Sequence, residues 1–294
     1  MATINKSREK QRKKAEQEID TKKALEVLMA TDLVLFFSQL ASDYEIVYGS
    51  TGRILNLHES YLEALRSLFK NNYRKVSDVF DSTTRNEIAN LVDLDEYELN
   101  EEVNDKLQKK IAMVIGAYLL GRADSMASKI GETIQNELIT QTNNVLVENA
   151  SRGIAVGANN FAEWGINHSK IVATTEVQDV AESSKFTEND ALTDLASEDG
   201  DVDITTIQKG SEKVWLTAGD EKVRASHSAI DGTVVKADDV FVTGMGGRMR
   251  FCGDMSLGAD LSDVINCRCE TIYRYNTEVT TIIRNKIYRK KGII

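Results

Sequence analysis

The 294-residue sequence predicts an α+β protein: an elongated, mainly helical N-terminal part with long helices, followed by a small, loop-rich mixed α/β C-terminal module. Three observations carry this prediction. Apolar residues recur at spacings of three and four over most of the stretch from Ala24 to Val180. The chain has no proline, so nothing of that kind interrupts a long helix. After Ile204 the pattern shortens to strand-like alternation, punctuated by glycine turns.

Taken in order, residues 1–23 form a basic arm of helix-forming but polar residues without a sustained apolar stripe. Residues 24–180 are the helical domain. A broad apolar helix runs from Ala24 to about Val47, and a turn at Gly49 to Gly52 leads into a second from about Ile54 to Phe80. The second carries Tyr61, Leu65, Leu68, Phe69, Val76 and Phe80 on one side, with His58 as a surface or capping residue. Asp81 to Glu102 is an acidic, turn-prone connection. Val103, Leu107, Ile111, Val114 and Tyr118, then Met126, Ile130, Ile134 and Leu138, describe either one long helix reaching about Val147, in which Gly116, Gly121 and Gly131 mark close approach or a bend, or two successive helices broken near Gly121. A further helix covers Ala150 to about Val180 with Phe161 and Trp164 as anchors and His168 in a loop or cap role.

Glu176 to Asp203 holds ten acids and one base, Lys185, so 181–204 reads as an acidic linker. Residues 205–278 form the C-terminal module, with strands at 213–217, 233–235 and 264–273, and turns at 218–220, 231–232, 244–247, 253–254 and Gly258. Residues 279–294 form a basic tail.

Composition narrows the function classes. A 41% apolar and 28% charged chain is that of a soluble globular protein. The most apolar runs, Ala24 to Ala41 with Glu26 and Asp32 inside it and Ile111 to Leu120 between cationic flanks, fall short of the roughly 20 nearly uncharged residues a bilayer span needs, so no membrane segment is expected. The N-terminus lacks the features of a signal peptide, and three cysteines, two separated by one residue, do not form a disulfide framework. Synthesis in a cytoplasm is expected. The net charge of −10 divides unevenly, because a +4 arm and a +5 tail leave the body near −19. Such a body repels phosphates, whereas Lys10, Arg12, Lys13 and Lys14 in the arm and Arg289, Lys290 and Lys291 in the tail are candidate contacts for DNA or an acidic partner.

Residues 214–275 concentrate the chemistry. His227, Cys267 and Cys269, with Cys252 or Asp220, would supply the four ligands of a tetrahedral zinc, the candidate structural cofactor. Against this, residues two apart on a flat strand hold their thiols too far apart unless the backbone bends. A hydrolytic reading takes His227 as general base, Asp220 or Asp231 as its orienter and a cysteine as nucleophile. The preferred reading is structural: Arg224 pairs with Asp220 or Asp263 while His227 bonds backbone across a loop, and neither catalysis nor a further cofactor is expected. Gly244 to Arg248 lacks the spacing and lysine of a phosphate loop and reads as a mobile turn.

The chain also resembles the phage head morphogenesis family, the minor head proteins similar to the F protein of phage Mu. The resemblance rests on IVATTE at Ile171 to Glu176, on the run from Trp215 to Gly232 with Asp220, Arg224 and His227 at matching spacing, and on Asn266, Cys267, Arg268 and Cys269. Thr174 replaces the usual arginine, and the prolines usual around Phe251 to Asp254 and Ala259 are absent, Cys252 standing at one such position. The resemblance implies a non-enzymatic protein of the virion head, inside the capsid near the portal, linked to DNA packaging or ejection. Its partners would be portal, capsid or scaffold proteins, and DNA through the basic ends. The alternative it leaves open is a metal-dependent enzyme or effector carried in the head and delivered with the DNA.

Overall fold

A computed structural model describes the backbone of residues 2–90, 97–99, 101–147, 150–198 and 202–290. Four long helices, α1 (Ala2–Thr51), α2 (Glu59–Asn90), α3 (Glu101–Val147) and α4 (Ala150–Ser197), account for most of it; between α2 and α3 lies the short strand β1 (Tyr97–Leu99). Then follow α5 (Ile204–Gly210), β2 (Ser211–Leu216), α6 (Ala225–Ser228), β3 (Val234–Lys236), β4 (Phe241–Val242), β5 (Arg248–Met249), α7 (Leu261–Val264), β6 (Glu270–Tyr275), α8 (Thr277–Ile287) and β7 (Tyr288–Lys290). The expected α+β class, with long helices before a small module of short strands, is what is found.

The chain divides into two compact units, each assembled from separate segments: one from 1–23, 76–117 and 175–294, the other from 24–75 and 118–174. The second unit is helical. Its core contains Met29, Leu33, Phe37, Leu40 and Tyr44 from α1, Leu65, Phe69 and Tyr73 from α2, Ile130, Ile134 and Leu138 from α3, and Phe161 from α4. Two glycines permit close helix approach there. A Cβ on Gly131 would meet Leu62 Cδ2 at 2.5 Å, and one on Gly165 would meet Phe37 Cβ at 2.7 Å. Gly116 and Gly121, expected to act in the same way, have nothing within 4 Å of such a carbon. His168 is not in a loop: it lies inside α4 with its ring stacked on Trp164 at 4.7 Å, and burial pushes its pKa down. His58 does cap, its Nδ1 accepting from the Ser60 N–H at 3.4 Å beside the start of α2. Within this unit the segment of α1 is apolar. One stretch of α1, Glu9–Thr51, is long and apolar enough by length and composition to cross a membrane, contrary to the sequence expectation, and 33% of its most apolar window is buried inside the protein; a core helix passes the same test.

The first unit contains most of the departures from expectation. Residues 181–197 are the end of α4 rather than an acidic linker, and all of 176–185 is buried. Helix α2 continues ten residues past Phe80 to Asn90 where a turn-prone connection was expected. The segment 279–287 belongs to α8, whose Val279, Ile283 and Ile287 are buried at a spacing of four, rather than to a solvated tail. Strand β7 then pairs antiparallel with β1, Tyr97 opposite Lys290. The arm is equally integrated, because Ala15, Glu18 and Lys22 of α1 are buried. A three-stranded antiparallel sheet in the order β3-β2-β6 lies at the centre, with Trp215 opposite Thr271. One face of β2 presents Val214 and Leu216, which cluster with Ala15 and Ile272, and the other presents Trp215 to a core of Phe241, Met249, Cys252, Val264, Cys267 and Cys269.

An ionic cluster joins α1, α4 and β6. Lys22 Nζ donates to Glu182 Oε1 at 2.6 Å and Glu270 Oε2 at 2.9 Å, while Lys185 Nζ donates to Glu18 Oε2 at 2.6 Å and Glu270 Oε2 at 3.0 Å. The Phe80 ring lies 5.7 Å from Lys22 Nζ and 6.0 Å from Lys185 Nζ. Burial pushes the Glu270 carboxyl well above its ordinary value, against the downward pull of Lys22 and Lys185. Burial also pushes Glu182 upward, but Lys185 and Lys22 outweigh it and hold the carboxyl at about 2.

A third buried cation is less well answered. Lys213 of β2 is fully buried, its Nζ has no hydrogen-bond partner among the described residues, and it faces the rings of Phe241 at 5.5 Å and Phe186 at 5.9 Å. Burial lowers its pKa to about 8.

Two predictions follow from these charges. Glu182→Gln is expected to cost about 3–5 kcal/mol at pH 7 because it strands a buried ammonium, whereas Glu270→Gln, which replaces a carboxyl that burial already pushes toward its neutral form, should cost less. The Glu182 contribution is present above the ordinary carboxyl range and lost as pH falls from 4.5 toward about 2, so urea unfolding at stepped pH should show Glu182→Gln converging with the parent only at the acid end. Equal losses for both variants at pH 7 would contradict this charge assignment. For Lys213 the contribution is destabilising, because the protonated form is the charged one and burial disfavours it, so the folded chain releases this proton at lower pH than the unfolded one. Lys213→Met should therefore stabilise the protein by about 1–3 kcal/mol at pH 7, with the gain disappearing as pH rises from about 8 toward 10.5.

Candidate functional site

The loops around β2 and β6 place the motif residues. Gly232, at φ +76, closes the turn that returns the chain to β2, its N–H donating to Trp215 O at 2.8 Å. Trp215 then packs edge-on against His227 at 5.1 Å and Phe241 at 5.3 Å. His227 sits on the single turn α6, whose N-cap residue is Arg224. Asn266 adopts φ +57, a left-handed conformation that asparagine tolerates, and its N–H donates to Thr175 Oγ1 at 3.2 Å. Residues 265–269 are consequently not strand, and the strand expected at 264–273 is the helix α7, this bend, and only then β6.

That bend settles the spacing objection to the two cysteines. Cys267 Sγ lies 3.8 Å and Cys269 Sγ 3.3 Å from the same atom, His227 Nδ1. The three potential ligand atoms all lie within 4.8 Å of one another, and the residues are 1%, 1% and 2% exposed. Cys252 shares the surrounding core but is outside this group; its N–H donates to Thr271 Oγ1 at 2.9 Å. The three cysteines are free thiols. Contact with Cys269 and then with His227 holds the Cys267 thiol well below its usual range, whereas Cys267 and then burial push Cys269 up. Burial alone would lower His227, but Cys267 and Asp263 beside it leave it raised. Asp263 is the carboxylate on the far side of the ring, with Oδ1 3.3 Å from Nε2 though out of line for a hydrogen bond. It is itself gripped by Ser226 Oγ at 2.7 Å and Thr243 Oγ1 at 2.5 Å.

The ionic staples differ in partner from those expected. Asp220 pairs bidentately with Arg268 at 2.6 and 2.7 Å, which holds its carboxyl at about 2, and Arg224 donates to the Ile265 carbonyl instead of to Asp220 or Asp263. Asp231 accepts from the Thr217 N–H at 2.8 Å and from Arg12 at 2.5 Å. Neither Asp220 nor Asp231 is therefore the orienter of His227 that a hydrolytic triad was assigned. The glycine run at 244–247 also has a structural use, since a Cβ on Gly247 would meet Asp263 Oδ2 at 2.8 Å.

Of the arm residues, Lys10 is exposed, Lys13 pairs with Glu9 at 3.1 Å, Lys14 with Glu18 at 3.7 Å, and Arg12 with Asp231. Arg289 and Lys290 lie in β7 with side chains outside the described residues, and Lys291 lies outside them altogether. The residues that sequence reasoning passed over are on α4. Gln178 Nε2 donates to Cys252 O at 3.2 Å and Cys269 O at 2.8 Å, and Glu182 Oε2 accepts the Thr271 N–H at 3.1 Å. Their acidic surroundings suggested solvent, and only continuity of the helix past Val180 could have signalled otherwise.

No family model matches the chain, and no solved structure matches it. A curated protein it resembles is the minor head protein GP7 of Bacillus phage SPP1, 32% identical over 76 residues, which are 26% of this chain and 24% of that protein. The match thus spans about a quarter of the relative's length.

Proposed function

We propose that the protein is a phage head protein, a minor structural component of the capsid that acts in head morphogenesis. The observation that carries this reading is the similarity to a minor head protein, which agrees with the motif resemblance around Trp215 to Gly232 and Asn266 to Cys269. The geometry supports a structural role for those residues: Asp220 is tied up by Arg268, Arg224 by a backbone carbonyl, and the His227 cluster is closed to solvent, whereas a nucleophile needs access to substrate. The finer reading is a position inside the head near the portal, with a part in DNA packaging or ejection.

Affinity-purified heads from cells producing the portal, the major capsid protein and this chain test both levels. The protein is expected in the heads at a few copies, and to co-sediment with portal alone. Its absence from purified heads would remove the head assignment, and its presence in heads that lack portal would remove the portal assignment alone.

A further inference from the structure

We propose that His227, Cys267 and Cys269 together hold a structural zinc ion. The first ground is valence. A ring nitrogen has one lone pair or one N–H and makes one good hydrogen bond, yet both sulfurs converge on Nδ1. A cation placed among the three atoms satisfies all of them at once. The second ground is distance. Zinc ligands at about 2.3 Å for sulfur and 2.0–2.1 Å for nitrogen, set at a tetrahedral angle, are themselves about 3.6 Å apart. The observed separations of 3.3 and 3.8 Å fall on either side of that value, and the whole group lies within 4.8 Å.

The surroundings supply what a metal-bound imidazole requires. Asp263, fixed by Ser226 and Thr243, lies 3.3 Å from Nε2, and although it is out of line for a hydrogen bond its charge favours a proton on that nitrogen, which leaves the Nδ1 lone pair for the metal. Charge also balances, because two thiolates, a neutral imidazole and a divalent cation sum to zero, as a site buried to this degree demands. Thiolate and imidazole donors in this geometry select zinc over magnesium or calcium. Burial of all three ligands assigns the ion a structural part: it clips α6 to the bend before β6, across 40 residues of chain that contain only short strands and the single turn α7. The other group of convergent potential ligands among the described residues, Glu18, Glu182 and Glu270, is already neutralised by Lys22 and Lys185 and needs no cation.

The test uses the full chain purified under reducing conditions. Elemental analysis is expected to find about one zinc per chain, and cobalt exchanged into the chelator-stripped protein should show thiolate-to-metal charge-transfer absorption. Cys267→Ser, Cys269→Ser and His227→Ala should each lose the metal, while Cys252→Ser keeps it. Asp263→Asn, a change at a positioning residue, should weaken zinc affinity about 10–100-fold and leave the stoichiometry intact. Should a ligand variant fail to fold, the stripped wild-type chain still decides the matter, through its cobalt spectrum and a rise in Tm on adding zinc alone. Wild-type protein that takes up less than about a tenth of an equivalent from excess zinc, with no change in Tm, would overturn the proposal. Loss of the metal in Cys252→Ser with its retention in Cys269→Ser would overturn the ligand assignment.

Discussion

The meeting of Lys22 and Lys185 with Glu18, Glu182 and Glu270 is the interaction on which the first compact unit depends. Five ionisable side chains with almost no exposure would be ruinous singly, since stranding one buried charge costs several kcal/mol. They are tolerable because each ammonium group lies within 3 Å of more than one carboxyl. Unlike apolar packing, this arrangement has little tolerance for slippage. A shift of α1 by one turn along α4 would leave charges without partners, so the cluster specifies register as well as contributing cohesion.

The same cluster explains where the sequence was legible and where it was not. Buried positions on α1 run Ala15, Glu18, Lys22, Leu25, Met29, Leu33, Phe37, Leu40 and Tyr44, an unbroken spacing of three and four. Hydrophobicity reveals that stripe from Leu25 onward and hides it before, because two of its earlier members are charged. The arm therefore read as solvated. On α4 the concealment is greater, for Glu176, Asp179, Glu182 and Lys185 are all buried within a segment whose composition is that of a linker. Partners of Glu182 and Lys185 stand 85 to 167 residues away, as with Lys185 to Glu270, Glu182 to Lys22 and Lys185 to Glu18, and local pattern carries no trace of such pairs. The long helix α3 was readable because its buried positions from Leu107 to Leu138 are apolar.

Around the cysteines, the sequence supplied the residue types but not their geometry. His227, Cys267 and Cys269 stood out as convergent donors, and the structure brings those three together while leaving Cys252 aside. What could not be read was the positive φ of Asn266, which replaces a flat strand by a bend. Asp263 was similarly assigned to Arg224 by charge alone, although a guanidinium can equally well be satisfied by a backbone carbonyl, as here by Ile265.

The ionic cluster and the cysteine site are mechanically one structure. Glu270 follows Cys269 directly in the chain, so fixing the glutamate between Lys22 and Lys185 also fixes where the thiol can point. Gln178 makes the link a second time: its amide donates to the Cys252 and Cys269 carbonyls while its oxygen accepts from Lys22 at 3.1 Å. Glu182 adds a third connection through the Thr271 N–H. The motif residues between Trp215 and Cys269 are thus held in place by α1 and α4, elements that lie outside residues 215–269. It follows that residues 205–278 taken alone would lack the groups that aim Cys269, and that the cationic arm is best understood as part of the core that completes the module.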